Sequence, residues 1–338
     1  MSNRPYLFLL TALLWGQPGC KREGAGDLRV LTYDSLKAPG GLGDILFPEF
    51  EKSCGCKVHV TTAGDAGQIV ARYALDKARG APLPHILLGI DQNLFGTLKD
   101  ETTSLIRLPQ DLHPSTTIDQ RFVPFDFGFF AFMARQPSLV QLKLSAPESY
   151  SDLLKDSWKS RFILQDPRTS SPGLGFLEAV EKVFGIQSDE FLRGLRGRWL
   201  TMPSGWDEAY GLFLKGEAPL VWSYTTSQAY HEHAGEKPGD YKAILFKEGA
   251  IIQIEGATAV TASLKSDRDR DLSKIFLETL LSQTVQSEIP KRQWMYPART
   301  TIKLPAEFER VPKPSKILST SSFDINAALK KWSEASLR

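Results

Sequence analysis

The stretch RFVPFDFGFFAFMAR, residues 121–135, decides how this chain is organised. It is long, extended and aromatic, and it breaks the alternation of shorter elements around it. Such a run suits a segment that carries the chain from one domain into the next. A second run, AIIQIEGATAVTA at 250–262, reads the same way. Two extended crossings that bracket a central block imply two lobes joined by a hinge. The first lobe is then built from both chain ends, 27–125 and 251–338, and the second from 126–250.

Ahead of the first crossing the chain alternates strand and helix. DLRVLTYDS (27–35), KVHVTTAG (57–64) and HILLGID (85–91) read as strands. GDILFPEFEKSCG (43–55) reads as an amphipathic helix, and DAGQIVARYALDKA (65–78) as a helix with Asp65 at a capping position. This alternation predicts an α/β architecture with a mostly parallel sheet. Ligands collect at the carboxyl ends of strands in such sheets, and Tyr33, Asp34, Asp65 and Asp91 fall there. Past the second crossing, DLSKIFLETLLSQTVQSEI (271–289) and SSFDINAALKKWSEASL (321–337) read as helical.

Lys and Arg number 41 against 39 Asp and Glu, and no basic block occurs. Nucleic acid is therefore not an expected partner, since neutralising phosphates needs clustered positive charge. The N-terminus differs in kind from the rest: Arg4, the apolar run PYLFLLTALLWG, then QPGC ending at Cys20. That is the composition of a secretory signal over 1–20, too short to span a membrane. Cys20 suits a lipidated first residue, although Gln17 stands where a lipobox normally has Leu. Export leaves Cys54 and Cys56, in SCGCKV, as a pair expected to bridge in an oxidising compartment. A metal there would need more ligands than the nearby His59.

Several stretches are candidates for a site. QDPRTSSPGLGF (165–176) reads as a strand turning into a helix, with Thr169, Ser170 and Ser171 able to cap it and Pro172 in its first turn. Free N–H groups at such a start bind anions or polar oxygens; the plain alternative is a capped helix and nothing more. SYTTSQAY (223–230) follows an apolar strand and is crowded with hydroxyls. Tyr33, Trp206, Tyr224, Tyr230 and Trp294 all fall at predicted strand ends, a loop–helix junction or loops. Core aromatics are expected on periodic faces instead, so the pattern favours a stacked, cationic aromatic ligand. Cation–π contacts are worth roughly 0.5–2 kcal/mol each, and at the middle of that range five of them do not reach the roughly 8 kcal/mol of micromolar binding. Carboxylates such as Asp34 or Asp65 and the hydroxyl cluster have to supply the remainder. The five histidines, including His231 and His233 of a polar HEH stretch, stand in no catalytic or zinc motif.

The motifs TYDS (32–35), FVPFDFGFFAF (122–132), QDPRTSSPGLG, GWDEAYGLFLKGE (205–217), SYTTSQAYH and WMYPA (294–298) run in one order along the chain. Together they resemble the periplasmic thiamine-binding proteins of bacterial ABC importers, from about Leu28 nearly to the C-terminus. The CGC pair resembles a closely spaced cysteine pair of that family. The resemblance implies a type II periplasmic binding-protein fold, in which two α/β lobes close on a ligand by hinge motion. It implies capture of thiamine, thiamine monophosphate or thiamine diphosphate for an inner-membrane ABC permease, by a monomer in the periplasm, without a cofactor. Trp206, Tyr224, Tyr230, Trp294 and Tyr33 would surround the ligand's rings. Ser170, Ser171, Thr225, Thr226, Ser227 and the Asp65–Ala66 turn would hold its polar end.

The chain departs from that pattern at four places. Gly40 stands where the family has Trp, Phe127 and Phe129 where it usually has Tyr, and Ala66 where Gly is common. Three rival readings remain from the residues: a thiamine-cleaving enzyme of the same general fold with a cysteine nucleophile, an iron binder using Tyr224 and Tyr230, and a binder of another aromatic or cationic metabolite. The enzyme would need a thiolate and a base in the cleft. Iron would want several anionic oxygens and no tryptophan stack.

Overall fold

The computed structural model describes residues 27–319 and 323–337. The signal stretch 1–20 and Cys20 lie outside the described residues. Among the described residues ten strands form one continuous sheet: β1 (Leu28–Thr32), β2 (Val58–Thr62), β3 (Ile86–Asp91), β4 (Thr102–Thr103), β5 (Val123–Arg135), β6 (Phe162–Ile163), β7 (Leu220–Tyr224), β8 (Tyr241–Ile244), β9 (Ile252–Val260) and β10 (Tyr296–Pro297). The main path runs β2-β1-β3-β9-β5-β7-β6.

The two runs read as crossings are the two long central strands. β5 pairs through its first half with β9 and through its second half with β7 and β8. It therefore belongs to the sheet of both lobes. Its burial on nearly every residue explains a sequence that is apolar throughout rather than alternating. The expected mostly parallel sheet is instead mixed. β1–β2, β1–β3 and β6–β7 are parallel, but β3–β9, β5–β9 and β5–β7 are antiparallel. One crossing leaves the first lobe and the other returns to it, so they run in opposite senses and lie side by side.

Local signals place the elements next to the cleft. Asp65 caps the helix Ala66–Ala78 in a box with Gln68, and Asp91 caps Gln92–Leu98 through the Asn93 and Leu94 N–H groups at 2.8 and 2.9 Å. These caps satisfy N–H groups that a helix start leaves unpaired. The helix Ser171–Phe184 begins with Ser170 as its flanking residue and Pro172 in its first turn, but no side-chain hydroxyl caps it. The helix Gly43–Cys54 ends at Gly55 in the left-handed conformation, where φ is 60°. Its Phe50 meets Phe276 of Asp267–Leu280 edge-on at 5.2 Å. Across its end, the sulfurs of Cys54, its last residue, and Cys56 lie 2.06 Å apart.

The C-terminal helix Ile325–Leu337 departs from the division drawn on the sequence. It packs on Ser171–Phe184 and Ser188–Leu195, against the central block rather than the first lobe. Trp332 meets Trp199 at 5.5 Å, and Lys331 binds Glu181 and Ser188, both at 2.8 Å. Its apolar stripe needed a partner, and the sequence does not specify which lobe supplies it. Among the described residues no helix is long and apolar enough to cross a membrane.

Candidate functional site

A cleft of about 480 Å³ opens between the carboxyl ends of β1–β3 on one side and the helix Trp206–Leu214, the end of β7 and the helix Ser227–His233 on the other. That volume suits a small organic ligand. Its aromatic wall is built from separate elements. Tyr33 follows β1, Trp206 opens a helix, Tyr224 ends β7, Tyr230 stands on the next helix, and Trp294 comes from a loop before β10.

Each ring is held by neighbours. Trp206 stacks on Tyr210 with centroids 4.7 Å apart, and its indole N–H donates to Ser223 Oγ at 2.8 Å. Ser223 in turn meets Ser227 Oγ at 2.9 Å. Tyr224 stacks on Phe130 at 5.0 Å and donates to Gln253 Oε1 at 2.9 Å. Trp294 sits edge-on to Tyr230 at 5.5 Å from a backbone φ of 53°, a conformation rarely used by a bulky residue. The lobes touch across the cleft where Asp65 Oδ2 accepts from the Trp206 backbone N–H at 3.2 Å.

Residues 86–324 match the family model of the bacterial extracellular solute-binding proteins. This chain belongs to that family. The solute-binding protein is 36% identical over 332 residues to the thiamine-binding periplasmic protein of Brucella melitensis biotype 1, a match covering 96% of each chain. It is 34% identical over 331 residues to the protein of that name from Escherichia coli K12, across 97% of this chain and 95% of that one. A solved periplasmic thiamin binding protein superposes with a TM-score of 0.82 at 34% identity, covering 92% of this chain and 96% of that one. A ferric binding protein from Campylobacter jejuni, at 16% identity and TM-score 0.68, shares the fold. The architecture is the two-lobed type II binding-protein fold.

The structure gathers around this cleft eight of the twelve residues that the resemblance placed at the ligand, Tyr33, Asp65, Ala66, Trp206, Tyr224, Ser227, Tyr230 and Trp294, and with them Asp34, the other carboxylate named above. The other four stand behind its wall. Thr225 and Thr226 are fully buried in the turn after β7, with the Thr226 hydroxyl 3.8 Å from Met295 Sδ. Ser170 is buried beside Asp65, and the Ser171 hydroxyl donates to Asp91 across the two lobes. A run of adjacent hydroxyls cannot all face one side: the chain turns from strand to helix within it, and successive side chains point apart. Gly40 is exposed beside the cleft, where its carbonyl accepts from Arg292 at 3.2 Å. Phe127 is buried, stacked on Tyr296 at 5.3 Å.

Burial dominates the electrostatics of the solute-binding protein. Dehydration pushes the Asp65 carboxyl up to about 6, against hydrogen bonds from Ser170, Ala66 and Trp206 that pull it down. Glu178, reached by Asn93 Nδ2 at 2.7 Å from the other lobe, is pushed to about 7 by burial. His231, despite its polar neighbours in the HEH stretch, lies inside the protein. It is 2% exposed, stacked face to face on Tyr241 at 3.6 Å, and 2.8 Å from Tyr210 Oη. Burial lowers it to about 4, so it is neutral and braces Tyr210 behind Trp206.

Sequence reasoning missed Tyr210, Gln253, Glu255 and Gln293, all in the lining. A signal for two of them existed. Gln253 and Glu255 are two residues apart on an otherwise apolar crossing strand and so share one face of the sheet.

Proposed function

We propose that this solute-binding protein captures thiamine in the cleft and hands it to an inner-membrane ABC permease. The observation that carries the reading is the convergence of Tyr33, Trp206, Tyr224, Tyr230 and Trp294 from five separate elements on one cavity. Thiamine offers two flat rings, one with a fixed positive charge, and stacking and cation–π contacts recognise both. Asp65, Ala66 and Ser227 meet its hydroxyethyl end or the phosphates of thiamine monophosphate and diphosphate. Ser170, Ser171, Thr225 and Thr226 support that wall from behind. The names and coverage of the relatives support the same ligand.

The lobes divide near 125 and 251 and close by flexing at the two crossing strands. The protein works in the periplasm as a monomer, exported by the 1–20 signal and anchored through a lipidated Cys20. Cys54 and Cys56 form a disulfide there. The protein is a carrier and not an enzyme: neither Cys54 nor Cys56 is among the cleft residues, so the thiamine-cleaving alternative has no nucleophile from this pair beside the ligand. Iron is disfavoured because Tyr224 donates its hydroxyl proton to the neutral Gln253 Oε1 and stacks on Phe130, so it is held as a phenol and not as an iron-binding phenolate.

The test is a fluorescence titration. The soluble part from about Arg22 is unfolded and refolded to strip carried-over ligand, then titrated separately with thiamine and its two phosphates. Saturable quenching at submicromolar concentration is expected, weakened by about 10- to 100-fold in Trp206→Ala, the equivalent of about 1–3 kcal/mol. No response up to millimolar ligand refutes the proposal.

A further inference from the structure

Two carboxyls interrupt the crossing strands at the same level: Asp126 of β5 stands in register opposite Glu255 of β9. Glu255 lines the cleft. Its Oε2 accepts from Tyr33 Oη at 3.0 Å and its Oε1 from Gln253 Nε2 at 2.7 Å. Asp126 is fully buried, and among the described residues neither of its oxygens has a hydrogen-bond partner.

The groups that act on this pair from the surrounding elements are acidic or neutral. They are Tyr33 after β1, Asp65 after β2, Asp91 at the end of β3, Tyr224 at the end of β7, and Gln253 beside it on β9. Among the described residues the one arginine of the cleft lining, Arg292, is engaged elsewhere, by Glu288 at 3.0 Å and the Gly40 carbonyl. A buried carboxyl beside another, with no cation to offset them, keeps a proton.

Resting on the thiamine reading, we propose that Glu255, backed by Asp126, is the specificity-determining residue by which the cleft selects a cation over a neutral ligand of the same shape. When a positively charged ring enters, Glu255 releases its proton to solvent and the carboxylate faces the ring. The charge of the site plus ligand is then the same as that of the empty site. A neutral isostere brings no charge to offset, so the proton stays and nothing is gained. Burial, chiefly, raises Glu255 to about 8, and Asp126 is raised as well, so the empty pair is protonated at neutral pH. A cation favours the ionised form. Affinity for it therefore rises with pH, by up to about tenfold per unit, and levels off above the Glu255 midpoint.

The experiment titrates the refolded protein between about pH 6 and 8.5 with two probes. One is thiamine, whose ring charge is fixed, and the other an analogue carrying a neutral thiophene in place of the thiazolium. Calorimetry in buffers of different ionisation enthalpy counts protons released. Thiamine affinity should climb at least about tenfold over that range with proton release, while the analogue's stays flat. Glu255→Gln should flatten the thiamine curve and bring the two probes within about threefold of each other. Asp126→Asn exchanges one neutral buried group for another and should leave the slope in place, which assigns the pH dependence to Glu255 and not to its neighbour.

A pH-independent thiamine affinity in the wild type, or a slope that survives in Glu255→Gln, overturns the proposal and leaves the thiamine reading standing. Failure of both probes to bind at any pH overturns both. The wild-type curves and proton count decide the matter even if neither variant folds.

Discussion

Tyr33 shows how a single position couples the aromatic wall to the charge chemistry. Its ring lines the cleft, its hydroxyl donates to Glu255, and it accepts from Gln293. It fits because Gly89, at a φ of 84°, has no side chain: a Cβ there would lie 2.1 Å from a Tyr33 ring carbon. Gly89→Ala must both strain the backbone and displace that ring. We expect thiamine affinity to fall at least about tenfold and unfolding free energy to drop by about 1–3 kcal/mol. Fluorescence titration and urea unfolding read the two effects separately, and an unchanged affinity would refute the positioning role. Tyr33 itself was legible as a residue at a strand end. Its partners were not, because Gln293 and Glu255 are more than two hundred positions away in the chain. The neutral His231 was hidden because its immediate neighbours in sequence are polar, while the rings that bury it, Tyr210 and Tyr241, stand on other elements.

At the level of elements, the helix Ala66–Ala78 meets the other lobe at its first turn. A Cβ on Gly67 would lie 2.7 Å from the Thr169 carbonyl oxygen, a backbone atom that cannot step aside. Gly67→Ala should therefore hold the lobes apart where Asp65 meets Trp206. Alanine also suits a helix better than glycine, by about 0.5–1 kcal/mol. The expected result is an unusual pairing: ligand-free stability unchanged or slightly raised, with thiamine affinity reduced about tenfold. Denaturant unfolding beside a titration checks it, and equal affinities would show that this contact does not govern closure. The helix and its Asp65 cap were readable from local residues. Its approach to Thr169 was not, since a glycine in a helical pattern looks the same whether or not something packs against it.

On the scale of the whole molecule, the C-terminal helix clasps the central block away from the cleft. Trp332 is 5% exposed against Trp199, and Ala328 and Ala335 are buried with it. Removing that indole leaves a cavity under the helix. Trp332→Ala should cost about 3 kcal/mol of stability while leaving thiamine affinity unchanged where the protein stays folded. Loss of affinity in a folded Trp332→Ala protein would instead tie this helix to closure. From its sequence alone, the protein's α/β class, its two crossings, the Asp65 cap and the aromatics lying off periodic faces were determined. These depend on residues within a few positions of each other, where propensity, capping and periodicity act. The tertiary structure alone decided the antiparallel return of β9, the lobe that receives Ile325–Leu337, which hydroxyls of residues 223–230 face the cleft, and the meeting of Asp126 with Glu255. Each of these is a contact between distant parts of the chain, set by strand register and by which surface buries the most apolar area, and no local pattern encodes it.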